Sequence, residues 1–308
     1  YGLALRYYAP ELNDTEFGFY YLNYHSRLPL ISGQGPQWPG GEPFVPYYAV
    51  APTGIDRAVV DATNPQYGMV FPEDLKLYGF SFATNVGGVA LSGEVSFKPD
   101  SPIQVTGNHV LAAALTQNPA LPFTARVVAA GPGGDIQGYD TFDVTQIQFT
   151  ALQFFDQVLG ASRLTFITEA GMVKADGVED AATQRGIYYG RNTLFGLTLP
   201  GADLEGGGFG GHVTDTAWGY RMRAQLDYPN AIGGIALKPT LSWSHDVSGF
   251  APEPGAQFNE GQKTIGLSLE AVYQNNYSVT LSYRQFSGGD YSVLTDKDFV
   301  SLSFGMTY

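Results

Sequence analysis

The chain contains no cysteine, which removes disulfides, thiolate nucleophiles and cysteine-based zinc sites. Charge is scarce, at 15% of residues, against ~25% in an ordinary soluble domain. No run of ~18 apolar residues occurs, so helical membrane spans are excluded. Cations are few: 16 Lys and Arg stand against 29 Asp and Glu, a net charge of −13. Without clustered Lys and Arg, nucleic acid is not expected as a partner. The chain is instead rich in Gly, with 39, and in aromatics, with 20 Tyr and 20 Phe. Low charge, many aromatics and no hydrophobic run fit a transmembrane β-barrel.

The clearest pattern lies in the last thirty-odd residues. Tyr277, Val279, Leu281 and Tyr283 alternate with Ser278, Thr280, Ser282 and Arg284. The final segment repeats this, with Val300, Leu302, Phe304, Met306 and Tyr308 against Ser301, Ser303, Gly305 and Thr307. A period of two places each set on one face of a strand. Eleven such segments are marked, at roughly 1–9, 15–28, 74–86, 88–98, 142–155, 162–174, 214–228, 234–247, 261–274, 277–287 and 297–308. Their connections alternate short and long, the long ones being 29–73, 99–141, 175–213, 248–260 and 288–296. Outer-membrane barrels have short periplasmic turns and longer outside loops.

The expected fold is therefore all-β: one transmembrane antiparallel up-and-down barrel over 1–308, with extracellular loops at 29–73, 99–141 and 175–213. The C-terminus is then periplasmic. Bacterial single-chain barrels normally have an even strand count, and Tyr1 already sits in a strand-like pattern. The chain thus reads as the C-terminal part of an incomplete barrel, with N-terminal strands missing. A soluble eleven-stranded can, with apolar side chains inside, is the competing architecture.

Alternation also sorts the charges. Arg6, Glu94, Lys98, Arg163, Glu169, Arg221, Arg223, Asp227, Lys238, Glu270 and Arg284 fall on the face opposite the apolar residues and are expected to line the lumen, because charge facing lipid is costly. Leu241, Trp243, Leu267, Leu269, Leu281, Leu302 and Phe304 are expected to face lipid. Strand 15–28 is aromatic on both faces: Phe17, Phe19 and Tyr21 on one, Tyr20, Leu22 and Tyr24 on the other. One of these faces must look inward, so part of the lumen is aromatic.

The long loops are not uniformly polar. They carry GEPFVPYYAV at 41–50 and GIYYGRNTLFGLTL at 186–199, and Asn108 precedes a helical stretch through Leu115, which it is placed to cap. Phe44, Tyr47, Tyr48, Leu111, Leu115 and Phe195 are unfavourable in water and are expected to cluster over the barrel mouth. No metal-binding spacing exists among His25, His109, His212 and His245, and no metal or other cofactor is implied. His245 and Ser248 are three residues apart, which places them on opposite faces of a continuing strand, and no orienting Asn or Asp is identifiable. An enzyme is not expected on this basis. The GGGFGG run at 206–211 lacks the Lys and helix of a phosphate cradle.

Four motifs carry a resemblance: FGFYYLNYHSRLPLISG at 17–33, TNVGGVALSGEVSFKPDSPIQV at 84–105, WSHDVSGFAP at 243–252, and the ending KDFVSLSFGMTY. Together they resemble a proteobacterial outer-membrane family known by a domain-of-unknown-function label, distantly similar to long-chain fatty-acid channels. The resemblance spans essentially the whole chain and corresponds to the C-terminal part of family members. It implies movement of hydrophobic compounds in company with a periplasmic carrier protein and an inner-membrane exporter. It implies no catalytic or binding residues. The terminal aromatic strand also resembles the signal read by the barrel-assembly machinery; outer-membrane lipids and lipopolysaccharide are the remaining expected partners. The expected function is a channel for hydrophobic or amphipathic solutes. A general diffusion porin with a charged lumen and a structural or adhesive surface protein are the alternatives.

Overall fold

A computed structural model describes residues 1–35, 66–116, 118–197, 210–253, 255 and 257–307. Numbered in chain order, eleven strands make one sheet: β1 (Gly2–Ala9), β2 (Thr15–Tyr24), β5 (Leu75–Val86), β6 (Val89–Gln104), β8 (Tyr139–Asp156), β9 (Arg163–Ala175), β10 (Thr216–Ile232), β11 (Ile235–Ser248), β12 (Lys263–Tyr273), β13 (Tyr277–Ser287) and β14 (Phe299–Met306). Each of the eleven pairs antiparallel with the next in this order. The ladder pairs the backbone polar groups of the nine inner strands on both sides. Among the described residues the sheet is not closed: β1 and β14 have one neighbour each.

The short turns follow from glycine. Gly87-Gly88 and Gly233-Gly234 all have positive φ, between 57° and 86°. They join Val86 to Val89 and Ile232 to Ile235, which face each other across the ladder. Two positive-φ residues are what a tight hairpin needs to match the twist of its strands.

The expectation that every strand joins one sheet is corrected. Three short strands, β3 (Leu30–Gln34), β4 (Gln66–Val70) and β7 (Asp135–Ile136), form a second antiparallel sheet in the order β4-β3-β7. They come from two of the long loops. At two to five residues they are far below the ~9–11 that a membrane crossing needs. Three short helices also come from the long loops: α1 (Gly107–Thr116), which touches β3, α2 (Thr124–Ala130), which touches β7, and α3 (Val178–Arg185).

These loop elements build the buried core. Ile103, Val105, Val110, Ala113, Phe123, Val127, Ile136, Val178, Ile187, Tyr189 and Val213 pack on Val144, Val173, Ala175 and Ala217 of the large sheet. All of these strand residues come from one face, at the end where the long loops leave. The opposite face is a belt of exposed apolar side chains, among them Leu281 at 51%, Leu3 at 69% and Phe304 at 75%. An apolar surface this extensive marks contact with a membrane or another protein.

Candidate functional site

Residues directly opposite each other in an antiparallel ladder share a face. One such row runs Tyr8, Glu16, Ala83, Ser92, Thr150, Glu169, Arg221, Ser244 and Thr264. The neighbouring row begins Arg6, Gly18, Ser81, Glu94, Gln148 and Gly171. Arg223 and Arg284 share a third row with Ser242 and Gly266. Asp227 faces Arg163, and Lys238 faces Glu270. All ten charged residues singled out above thus lie on one face, with Lys98 beside them, and it is the face the loops cover.

Most of these charges are answered locally. Salt bridges join Arg6 to Glu16 at 3.7 Å, Arg163 to Asp156 at 3.5 Å, Arg221 to Asp246 at 3.9 Å and Lys238 to Glu270 at 3.7 Å. Glu169 accepts from Gln148 at 2.8 Å and from Thr150 at 3.5 Å, and Lys98 donates to Gln146 at 2.8 Å. Gln225 accepts from Arg223 and donates to Asp227. The same face is apolar on its β2–β5 flank, where Tyr20, Leu22 and Tyr24 face Gly79, Leu77 and Leu75.

The β11–β12 loop folds down onto this face. Phe258 is buried, and Arg221 places its guanidinium 5.7 Å from the ring centre. The ring sits over Gly171 and Gly219. A Cβ at either would stand 3.3 Å or 3.0 Å from a Phe258 ring carbon, so the absence of side chains there lets the ring approach.

Higher up, the loop layer is held by polar groups placed within its apolar core. Asp140 accepts from Tyr189 Oη at 2.7 Å and from Arg126 Nη2 at 2.6 Å. Burial, then the bond to Asp140, pushes the Tyr189 phenol well above its ordinary range. Arg191 donates to the backbone carbonyls of Gly210, Phe195 and Gly196. His212 is fully buried. Its ring lies 4.7 Å from that of Tyr188 and 6.1 Å from that of His109, and Thr106 Oγ1 is 3.0 Å from its Nδ1. Burial first, then the nearby Arg191 and His109, pushes the imidazole down to about 3. It stays neutral at physiological pH.

The apolar residues singled out in the loops have different fates. Phe44, Tyr47 and Tyr48 lie outside the described residues. Leu111 and Leu115 do not join the core: they are 55% and 38% exposed, on the opposite side of α1 from buried Val110 and Ala113. Helix α1 buries only one stripe, and its register puts those two leucines outside it. Phe195 packs edge-on against Tyr291, ring centres 5.3 Å apart. Asn108 does not serve as the expected cap; its side chain donates to the carbonyls of Thr193 and Gly196 at 2.8 and 2.7 Å, tying α1 to the 186–199 loop. Ile103, Phe123, Tyr189, His212 and Phe258 form the heart of the layer. No periodicity identifies them, because their neighbours come from distant segments.

The family model described as "Protein of unknown function (DUF1302)" matches residues 1–308, and the chain belongs to that family. No curated protein matches it.

Proposed function

We propose that this chain forms the wall of a β-barrel in the bacterial outer membrane, with a periplasmic C-terminus, and that it passes a hydrophobic or amphipathic solute. On this reading the apolar belt faces lipid and the charged face looks into the lumen. The observation that carries the functional part is the loop layer. It sits on the lumenal face at the long-loop end, with an apolar core sealed around Phe123, Val127, Tyr189 and Val213. A mouth packed in this way restricts water and ions. The flank of Tyr20, Leu22, Tyr24, Leu75 and Leu77 offers an apolar surface below it, and apolar surface with few placed polar groups suits an apolar ligand. Outer-membrane lipids, lipopolysaccharide and the assembly machinery are the partners this location entails. A periplasmic carrier and an inner-membrane exporter would extend the route.

A second reading has its own support. The paired charges along Arg6–Glu16, Arg221–Asp246 and Lys238–Glu270 suit the wet wall of a diffusion porin. Planar-bilayer recordings on the full-length protein separate the two. Low conductance with saturable binding of an alkyl-chain probe is the expected result. Large, steady ion currents without such binding would establish the porin instead.

A further inference from the structure

Four cations of the charged face, Arg6, Arg163, Arg221 and Lys238, each meet a carboxylate. Among the described residues, Arg223 and Arg284 form no salt bridge. Both stand in one row: Arg223 faces Ser242, Ser242 faces Gly266 and Gly266 faces Arg284. The two strands between them therefore contribute only a hydroxymethyl group and a hydrogen. Three strand spacings of ~4.8 Å separate the two arginine backbones, a gap that two long side chains close from both sides. Arg284 leans into it, with Nε 3.9 Å from where a Cβ on Gly266 would lie. A Cβ there would also collide with Ser242 Oγ, so glycine keeps the space open. Arg223 uses Nη2 for Gln225, at 3.1 Å, and each guanidinium has five N–H donors and no acceptor. Two guanidinium groups in one row, neither in a salt bridge among the described residues, supply donors of the kind that match a planar or tetrahedral oxyanion.

We propose that Arg223 and Arg284, across the gap at Ser242 and Gly266, bind the oxyanion head, carboxylate or phosphate, of an amphipathic solute. This rests on the channel reading above and names the head group of what the channel takes.

The test is equilibrium binding to the full-length protein in nanodiscs, with dodecanoate, dodecyl phosphate, dodecanol and inorganic phosphate as probes. The two anionic amphiphiles should bind saturably, and dodecanol about tenfold more weakly, the loss expected for a hydrogen bond to a charged group. Arg223→Gln and Arg284→Gln should each weaken anion binding by about tenfold, with Arg284→Lys recovering only part of it. Lys174→Gln, in an ion pair with Asp176 on the other face of the sheet, should leave it unchanged. Unchanged heat-modified migration in gels controls for folding. Inorganic phosphate binding as tightly as dodecyl phosphate, with the same arginine dependence, would keep the oxyanion site but overturn its role for an amphiphile and the hydrophobic-solute reading with it. Dodecanol binding as well as dodecanoate, or anion binding indifferent to both Gln substitutions, would overturn the site while leaving the channel reading standing.

Discussion

The large sheet and the loop layer obey opposite burial rules in one chain. In the sheet, Leu281, Leu302 and Phe304 are exposed while small and polar residues fill the alternate positions. In the loop layer, Phe123, Val127 and Tyr189 are sealed inside, and Leu111 and Val128 remain on the surface. The sheet has no side-chain core of its own on its apolar face; the loop layer has one, as a small water-soluble domain would. The difference teaches that side-chain hydrophobicity is read by the surroundings. On the membrane reading, hydrocarbon outside rewards an apolar belt, while water outside rewards an apolar centre.

The comparison is tested most severely by a cavity in the layer. Phe123→Ala should destabilise the loop layer by about 3–5 kcal/mol while the sheet stays folded. Hydrogen exchange should show faster opening in α1, α2 and α3, with protection of β10 to β13 unchanged. Simultaneous loss in both regions would mean that they are one cooperative unit. Next in size is the belt. Leu281→Arg should cost about 2–4 kcal/mol in a bilayer if its position lies at mid-membrane, measured by denaturant titration in vesicles. The reverse pattern, with Leu281→Arg tolerated in lipid, would place that face in water.

A smaller effect comes from pH. His212 ionises near 6.5 when unfolded but only near 3 when buried. Its lowered value means that the opened loop takes up a proton first as pH falls. The contribution is therefore intact above 6.5 and is lost progressively between 6.5 and 3, the loss amounting to about 2 kcal/mol at pH 5. Limited proteolysis of the 186–197 segment should accelerate over this window in the native protein and lose much of that dependence in His212→Phe. Smallest is Arg6→Gln. The Arg6–Glu16 pair is exposed at both ends, so its loss should change stability by less than about 1 kcal/mol.

How legible each region is follows from the same contrast. The strands and their faces are readable because their environment imposes a strict period of two: Leu267, Leu269, Leu281 and Leu302 need only sequence spacing to be placed together. The ends of β6 and β8 are less so, since they run on past the sheet to Gln104 and back to Tyr139. Their outer portions trade alternation for contact with the loop core. The layer itself is barely legible. Strands of two to five residues carry no usable periodicity, and the surroundings of His212 come from residues 106, 109 and 188–191. Leu111 and Val110 are equally apolar and adjacent, and only the packing of α1 decides between them. The charged face shows the same limit. Alternation places Arg223 and Arg284 on it, yet their sharing a row depends on register across three strand pairs.

The overrun of β6 and β8 also decides how the loop layer can move. Past the irregularity at Lys98–Ser101 the two strands stay paired, from Ser101 opposite Phe142 to Gln104 opposite Tyr139. They carry Ile103 into the core and Asp140 to its bonds with Tyr189 and Arg126. Half of the layer is thus mounted on a pillar continuous with the wall, so the layer cannot swing away as one hinged cover. On the channel reading proposed above, passage would come from the stretch through Tyr188, Tyr189, Arg191 and His212, peeling from the pillar. The bonds holding that stretch to the pillar are Tyr189 to Asp140 and Thr106 to Gly190, so on that reading these two contacts would act as the latch.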